Sequence, residues 1–207
     1  MPNPWLSVPL SDYEGHMGPA GVQQLAALSG LFAEAVEICR PESVAILGIA
    51  GGNGLEHIDR SFTRRIVGVD INPQYLDSVR RRFGAVYDLE LHCRDLAGAC
   101  PAMEPVQLVH AALIFEHAGA CQCLENAIAC VAPGGALSVV LQLPSEFEPG
   151  VSASPFPSIQ KLKSDFALID PLWFRESVEK RGFRLKHESR RALAAGKGLW
   201  MGVFHRQ

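Results

Sequence analysis

The chain has 207 residues, 48% hydrophobic and 20% charged, and 19 basic against 22 acidic side chains leave a net charge of −3. That length and apolar content fit one sizeable core, so a single domain over 1–207 is expected, and the near-balanced charge excludes a broadly basic nucleic-acid-binding surface. No run of about 18 uncharged apolar residues offers a membrane span, and Met1-Pro2-Asn3-Pro4-Trp5 lacks the basic start of an export signal, so a complete, soluble, cytoplasmic chain is expected.

Residues 1–19 hold Pro2, Pro4, Pro9 and Pro19 and little periodicity, which predicts an irregular arm. From Ala20 to Cys39, Val22, Leu25, Phe32 and Val36 keep helical spacing, and Pro41 ends the helix; the arm and helix together make up 1–40. Ser43–Ile49 is a nearly unbroken apolar run, as suits a strand covered on both faces. It enters Ala50-Gly51-Gly52-Asn53-Gly54 and a short helical stretch, Leu55–Arg60. Arg65–Asp70 is a second apolar run ending on an acid. Asn72-Pro73 then opens a helix, Asn as cap and Pro in the first turn, with Leu76, Val79 and Phe83 as its stripe. Asp88–Cys93 and Val106–Ala112 read as a third and a fourth strand. Ala118–Val131 reads as a helix with Cys121, Leu124, Ile128 and Val131 on one face. Pro133-Gly134-Gly135 is a turn before a fifth strand, Ala136–Gln142.

The rhythm breaks over residues 143–170, a proline- and serine-rich segment whose length predicts a lid-like insertion, with Phe147, Phe156, Phe166 and Leu168 as candidate pocket walls. A helix from Asp170-Pro171 to about Arg181 and a hairpin of two strands, Phe183–Ala192 and Gly198–Arg206, close the chain. Buried strands alternating with helices imply a parallel sheet with right-handed crossovers. The expected fold is a three-layer α/β sandwich whose sheet has seven strands, mostly parallel, with one antiparallel strand from the C-terminal hairpin. The six cysteines, Cys39, Cys93, Cys100, Cys121, Cys123 and Cys130, read as free thiols behaving as small hydrophobes, and their spacing does not make a metal site.

Three features carry chemistry. The glycine-rich turn after the first strand lets a ligand approach the backbone, at a helix start with free N–H donors. Asp70, at the tip of the second strand, is placed to accept both hydroxyls of a ribose; alone, it also suits the N-terminal end of the helix that follows. Asp95, just past the third strand in His92-Cys93-Arg94-Asp95-Leu96, is placed to receive an adenine amine, or is a solvated loop acid.

In this order, the three resemble the class I S-adenosylmethionine-dependent methyltransferases, from about Ser43 to Gln142 and on through the terminal helix and hairpin. The family's acid followed by Gly-x-Gly-x-Gly is matched by Gly48-Ile49-Ala50-Gly51-Gly52-Asn53-Gly54, and its ribose acid by Asp70 in Val67-Gly68-Val69-Asp70-Ile71-Asn72-Pro73. Its fourth-strand region is matched by Leu108-Val109-His110-Ala111-Ala112-Leu113-Ile114-Phe115-Glu116-His117, and its turn before the fifth strand by Val131-Ala132-Pro133-Gly134-Gly135. The resemblance implies a Rossmann-like methyltransferase fold and S-adenosylmethionine as cofactor. It also implies cofactor contacts at Gly48, Ile49, Ala50, Gly52, Gly54, Asp70, Ile71, Asp95, Leu96 and Ala111. Two positions depart: Gly48 stands where the family carries an acid that helps hold the methionine ammonium, and Ala50 stands for the first glycine. A dehydrogenase fingerprint, Gly-x-Gly-x-x-Gly, is not met by this spacing.

Methyl transfer to a small-molecule acceptor is the expected function, with no nucleic-acid or membrane partner. The alternatives are a cofactor-binding or interaction module with weak or lost catalysis, to which Gly48 points, and a nucleotide-dependent oxidoreductase. Glu116 and His117, past the fourth strand, are the candidates for a proton acceptor, and equally fit a helix-end pair; His110 is a third. Tyr13 and His16 are expected to be carried into the site if the arm folds over it, and a plain surface arm is the other reading.

Overall fold

The computed structural model describes residues 3–18, 23–145, 150–193 and 196–207. The predicted arm is helical: a 3-10 turn at Pro4–Ser7 precedes α1 (Leu10–Met17). Asn3 starts the turn by accepting the Trp5 N–H on its side chain, with Pro4 already at helical φ, so Pro4 opens a helical turn where an irregular arm was expected. Then come α2 (Gln24–Cys39), β1 (Ser43–Leu47), β2 (Arg65–Asp70), α3 (Pro73–Phe83), β3 (Leu89–Cys93) and β4 (Val106–Ala112). The chain continues with α4 (Phe115–Ala118), α5 (Ala120–Ala129), β5 (Val131–Leu143), a single turn α6 (Pro157–Gln160), α7 (Pro171–Glu179), β6 (Phe183–Ala192) and β7 (Gly198–Arg206).

The seven strands run β3-β2-β1-β4-β5-β7-β6. β1 to β5 pair in parallel, and β7 lies antiparallel to both β5 and β6, so it is the one reversed strand. Alternate residues of the central strands face two cores. Leu47, Val69, Val109 and Val139 meet α5 and α7 through Leu124, Ala127, Phe174 and Val178. Ile46, Ile66, Leu108 and Val140 meet α2 and α3 through Leu31, Phe32, Leu76 and Val79. Burial on both faces is why these strands are uniformly apolar, whereas β6, on the edge, alternates and keeps its charged side chains out.

Two expectations change. The helix read over Ala118–Val131 is two pieces broken at Gly119 (φ +81), and Val131 begins β5, so Pro133-Gly134-Gly135 lies within the strand's irregular start, where the β4–β5 register shifts. Cys121 is exposed, and Cys123 takes the buried position with Leu124. The tip of the β6–β7 hairpin, Ala194 and Ala195, lies outside the described residues, as does Val22.

Candidate functional site

The carboxyl ends of β1 to β5 open into a cleft of about 1050 Å³, counting its mouth. This is where the crossover geometry of an open parallel sheet leaves a crevice. The floor is backbone. After β1, the chain turns through Gly48 (φ +73), Ala50 (φ +46), Gly52 (φ +83) and Gly54 (φ +95). The Ala50 N–H donates to Asp70 Oδ2 at 2.9 Å, and the Asn72 N–H donates to Oδ1 at 2.9 Å. One carboxylate thus ties the β1 turn to the start of α3, where Asn72 caps Gln74 N at 3.0 Å. Burial pushes the Asp70 carboxyl up to about 6, against the pull of its backbone N–H bonds.

Of the residues implied as cofactor contacts, Gly48, Ala50, Asp70, Ile71, Asp95 and Leu96 line the cleft. Ile49, Gly52, Gly54 and Ala111 lie behind its wall. Ile49 packs on the Gly68 backbone in the core, and Ala111 is fully buried. A Cβ on Gly52 would meet the Phe83 ring at 2.7 Å, and one on Gly54 would meet Phe32 at 2.9 Å, so these glycines serve turn and packing. The neighbours Ala112, Leu113 and Ile114 face the cleft instead, with Leu113 held at φ +55 by its N–H bond to Val140 O.

The roof is side chain. The N-terminal strap, residues 3–18, crosses the cleft mouth and brings Tyr13 and His16 into its wall together with Trp5 and Met17. Three ties hold it. The Asn72 amide donates to Trp5 O at 3.0 Å, Arg82 donates to Glu14 at 3.0 Å and to Gly51 O at 3.2 Å, and Ser158 donates to Asp12 Oδ2 at 2.6 Å. Arg82 is therefore a latch across the glycine turn. The insertion supplies Ile159, Leu162 and Phe166; Val8, Ile159 and Leu162 form a small core between strap and insertion. Phe156 joins that core from its margin, Leu168 points outward, and Phe147 lies outside the described residues.

His117 sits among rings, edge-on to Trp5 at 4.9 Å and to Phe166 at 5.2 Å. Its Nδ1 is buried without a partner among the described residues. Burial lowers its pKa to about 4, although Asp165 pulls the other way, so the ring is neutral at physiological pH. Glu116 is separated from it: it is not on the cleft surface, its Oε1 accepts the Gln142 N–H at 2.8 Å, and its Oε2 has no partner among the described residues. Burial raises that carboxyl to about 7. His110 belongs to the core, bound to Ser138 at 3.1 Å and packed on Phe32. Tyr75, whose buried hydroxyl has no partner among the described residues, faces the cleft beside Tyr13, and burial together with the Asp70 charge raises both phenols. Burial, and then Lys197, lowers the pKa of His16.

Sequence reasoning missed Trp5, Gln24, Tyr75 and Gln142. For Gln142 a signal existed: a glutamine ending an otherwise apolar strand at the sheet's carboxyl edge.

Residues 44–135 match the methyltransferase domain family, a span that contains the glycine turn and both aspartate tips. A comparison with curated proteins finds no match. Among solved structures, the magnesium protoporphyrin IX methyltransferase ChlM of Synechocystis PCC 6803, with bound S-adenosylhomocysteine, is similar at a TM-score of 0.72 and 9% identity, over 98% of this chain and 96% of that one. The N-methyltransferase NodS of Bradyrhizobium japonicum WM9, in complex with S-adenosylhomocysteine, superimposes at 0.68 with 12% identity, over 99% and 98% of the two chains. The [4+2]-cyclase SpnF shares the fold at 0.64 and 11% identity, over 91% of this chain and 84% of that one. Residues 44–135 thus match a methyltransferase domain, and the chain shares the fold of these solved methyltransferase structures over nearly its whole length.

Proposed function

We propose that this protein is an S-adenosylmethionine-dependent methyltransferase that acts on a small acceptor bearing an O–H or N–H group, held under the strap and the 150–169 segment against His117. The observation that carries the reading is one cleft whose wall holds both Asp70 with the glycine turn and a set of rings, Trp5, Tyr13, Phe166 and His117. The residues fit the family's cofactor. The Asp70 carboxylate stands at the cleft surface beside an orphaned buried Tyr75 hydroxyl, and the β1 turn offers backbone with no side chain between it and the cleft at Gly48. Asp70 would hold the ribose hydroxyls, and Asp95 with Leu96 would hold the adenine. S-adenosylmethionine supplies an activated methyl on a sulfonium, so alignment and exclusion of water supply much of the rate.

His117 accepts the hydrogen of the acceptor on its unpartnered Nδ1. A ring with a pKa of about 4 is a weak base, so its part is to orient the acceptor's lone pair more than to strip its proton. The strap and the 150–169 segment shut water out. Glu116, behind the wall, braces the tip of β5. The whole chain serves as one domain, with 143–170 as its lid, and it works in the cytoplasm as a soluble enzyme without nucleic acid.

The test is calorimetry with S-adenosylmethionine and S-adenosylhomocysteine, followed by a mass-spectrometric screen of small hydroxyl and amine acceptors for methylated product. Failure of both ligands to bind at millimolar concentration sinks the reading. Gly48, in the place of the family's acid, favours a second one: a protein that binds the cofactor but turns it over weakly or not at all. Tight binding without any methylated product would select it.

A further inference from the structure

Two of the six cysteines meet. Cys100 lies on the loop after β3 and is exposed, and Cys130 closes α5 just before β5, at 1% exposure. The Cys100 thiol donates to Asn126 O at 3.8 Å, and the Cys130 N–H donates to the same oxygen at 3.3 Å. The two side chains interact beside this shared carbonyl, and burial, then the Cys100 neighbour, raises the Cys130 thiol to about 12. Cys93 and Cys121 are exposed as well. The Cys93 thiol donates instead to Ile71 O at 3.4 Å.

The loop that carries Cys100 reaches the cleft. Asp95 and Leu96 line it, and Asp95 folds the loop by accepting the Ala97 N–H on Oδ1 at 2.9 Å. The last turn of α5 holds this loop by hydrogen bonds. The Asn126 side-chain amide, 3% exposed, donates to Leu96 O at 2.9 Å and to Gly98 O at 3.0 Å, while the Asn126 carbonyl receives the Cys100 thiol. One residue therefore places the two sulfurs together and fixes the cleft-lining part of the loop.

We propose that Cys100 and Cys130 are a modification site: under a peroxide they form a reversible disulfide that clamps the Asp95–Leu96 loop to the end of α5. The proposal goes beyond the methyl-transfer reading and does not rest on it. Cys100, being exposed, is the thiol that a peroxide meets first. Its thiolate attacks one peroxide oxygen, the O–O bond breaks, and the hydroxide released takes up the Cys100 proton as water, leaving a sulfenic acid. The Cys130 sulfur then attacks the Cys100 sulfur, the S–O bond breaks, and a second water leaves with the Cys130 proton. Two thiols are oxidised by two electrons and one peroxide is reduced. An added thiol reverses the bond by exchange.

The experiment treats the full chain with hydrogen peroxide, caps the remaining thiols with N-ethylmaleimide in denaturant, and maps the products by mass spectrometry. Trypsin with glutamyl endopeptidase puts Cys100 on residues 95–104, Cys130 on 126–146, and Cys93 and Cys121 on other fragments. The expected product is 95–104 joined to 126–146, released by dithiothreitol. Oxidation should also raise Tm by roughly 5–10 °C, the effect of closing a loop of about 30 residues in a chain of this size. Cys100→Ser, at an exposed position, should keep the reduced Tm within about 2 °C and lose the rise on oxidation, so the control stands even if Cys130→Ser does not fold. If Cys130 is still fully capped after peroxide, whatever has become of Cys100, the proposal is overturned. A bond from Cys100 to Cys93 or Cys121 formed as readily overturns it too. A Cys100–Cys130 bond that leaves Tm unchanged or lower overturns the clamp.

Discussion

The floor and the roof of the cleft are made in different ways. The floor is main chain, bent by glycines and fixed by one carboxylate that bridges two strand tips. The roof is a set of rings and aliphatic side chains from two segments far apart in sequence, joined by a three-residue core and a few polar ties. A floor of backbone tolerates change in side chains around it and suits a ligand that does not vary. A roof of side chains can be exchanged residue by residue, and so, in the proposed function, is the part assigned to discriminate between acceptors.

Five substitutions probe this contrast. The largest effect is expected at Asp70, where Asp70→Ala should weaken S-adenosylhomocysteine about 100-fold, roughly 3 kcal/mol, by calorimetry. In the unaltered protein the same affinity should fall as pH drops through about 6, where the buried carboxyl takes up a proton. Trp5→Ala should leave that affinity within about threefold, and a loss as large as that for Asp70→Ala would erase the distinction between floor and roof. Next, His117→Gln should lower turnover about thirtyfold with unchanged cofactor affinity, and the loss should be the same from pH 6 to pH 8, because the ring stays neutral above its pKa of about 4.

Third comes Glu116, the brace behind the wall. Burial raises its carboxyl from 4.5 to about 7, so its contribution to stability is full below 4.5 and is lost as pH rises through about 7. Glu116→Gln keeps an acceptor for the Gln142 N–H and cannot ionise. It should match the unaltered protein near pH 4.5 and exceed it at pH 8 by roughly 1–2 kcal/mol in urea unfolding. The smallest effect belongs to the floor: Ala50→Gly relieves a left-handed alanine (φ +46) and should stabilise by about 0.5 kcal/mol in the same assay.

What the sequence disclosed follows the same division. The strands of the parallel half were readable because burial on both faces forces apolar runs, and Arg65–Asp70 and Val106–Ala112 have those bounds in the fold. The glycine turn and Asp70 were readable because a backbone-built site needs particular residues at particular spacing. The roof was not. Trp5, Phe166 and Tyr75 follow no period, and they meet only through long-range contacts such as the bond from Asn72 to the Trp5 carbonyl, 67 residues apart, and the edge-on packing of Trp5 and Phe166 against His117. Glu116 and His117 are adjacent in sequence and read as a pair, but at this helix start one side chain turns behind the sheet's edge and the other into the cleft. Val131 looked like the end of a helical stripe because a buried strand start and a buried helix end are equally apolar.

The strap's anchors also order events during synthesis. Residues 3–18 are made before all their partners: Asn72 and Arg82, which hold Trp5 and Glu14, come first, while Ser158, which holds Asp12, is 146 positions beyond it, and Ile159 and Leu162, which cover Val8, lie beside Ser158. The strap can therefore be tethered to the β1 turn and α3 well before its apolar underside is covered. The backbone floor is in place before the chamber above it can close.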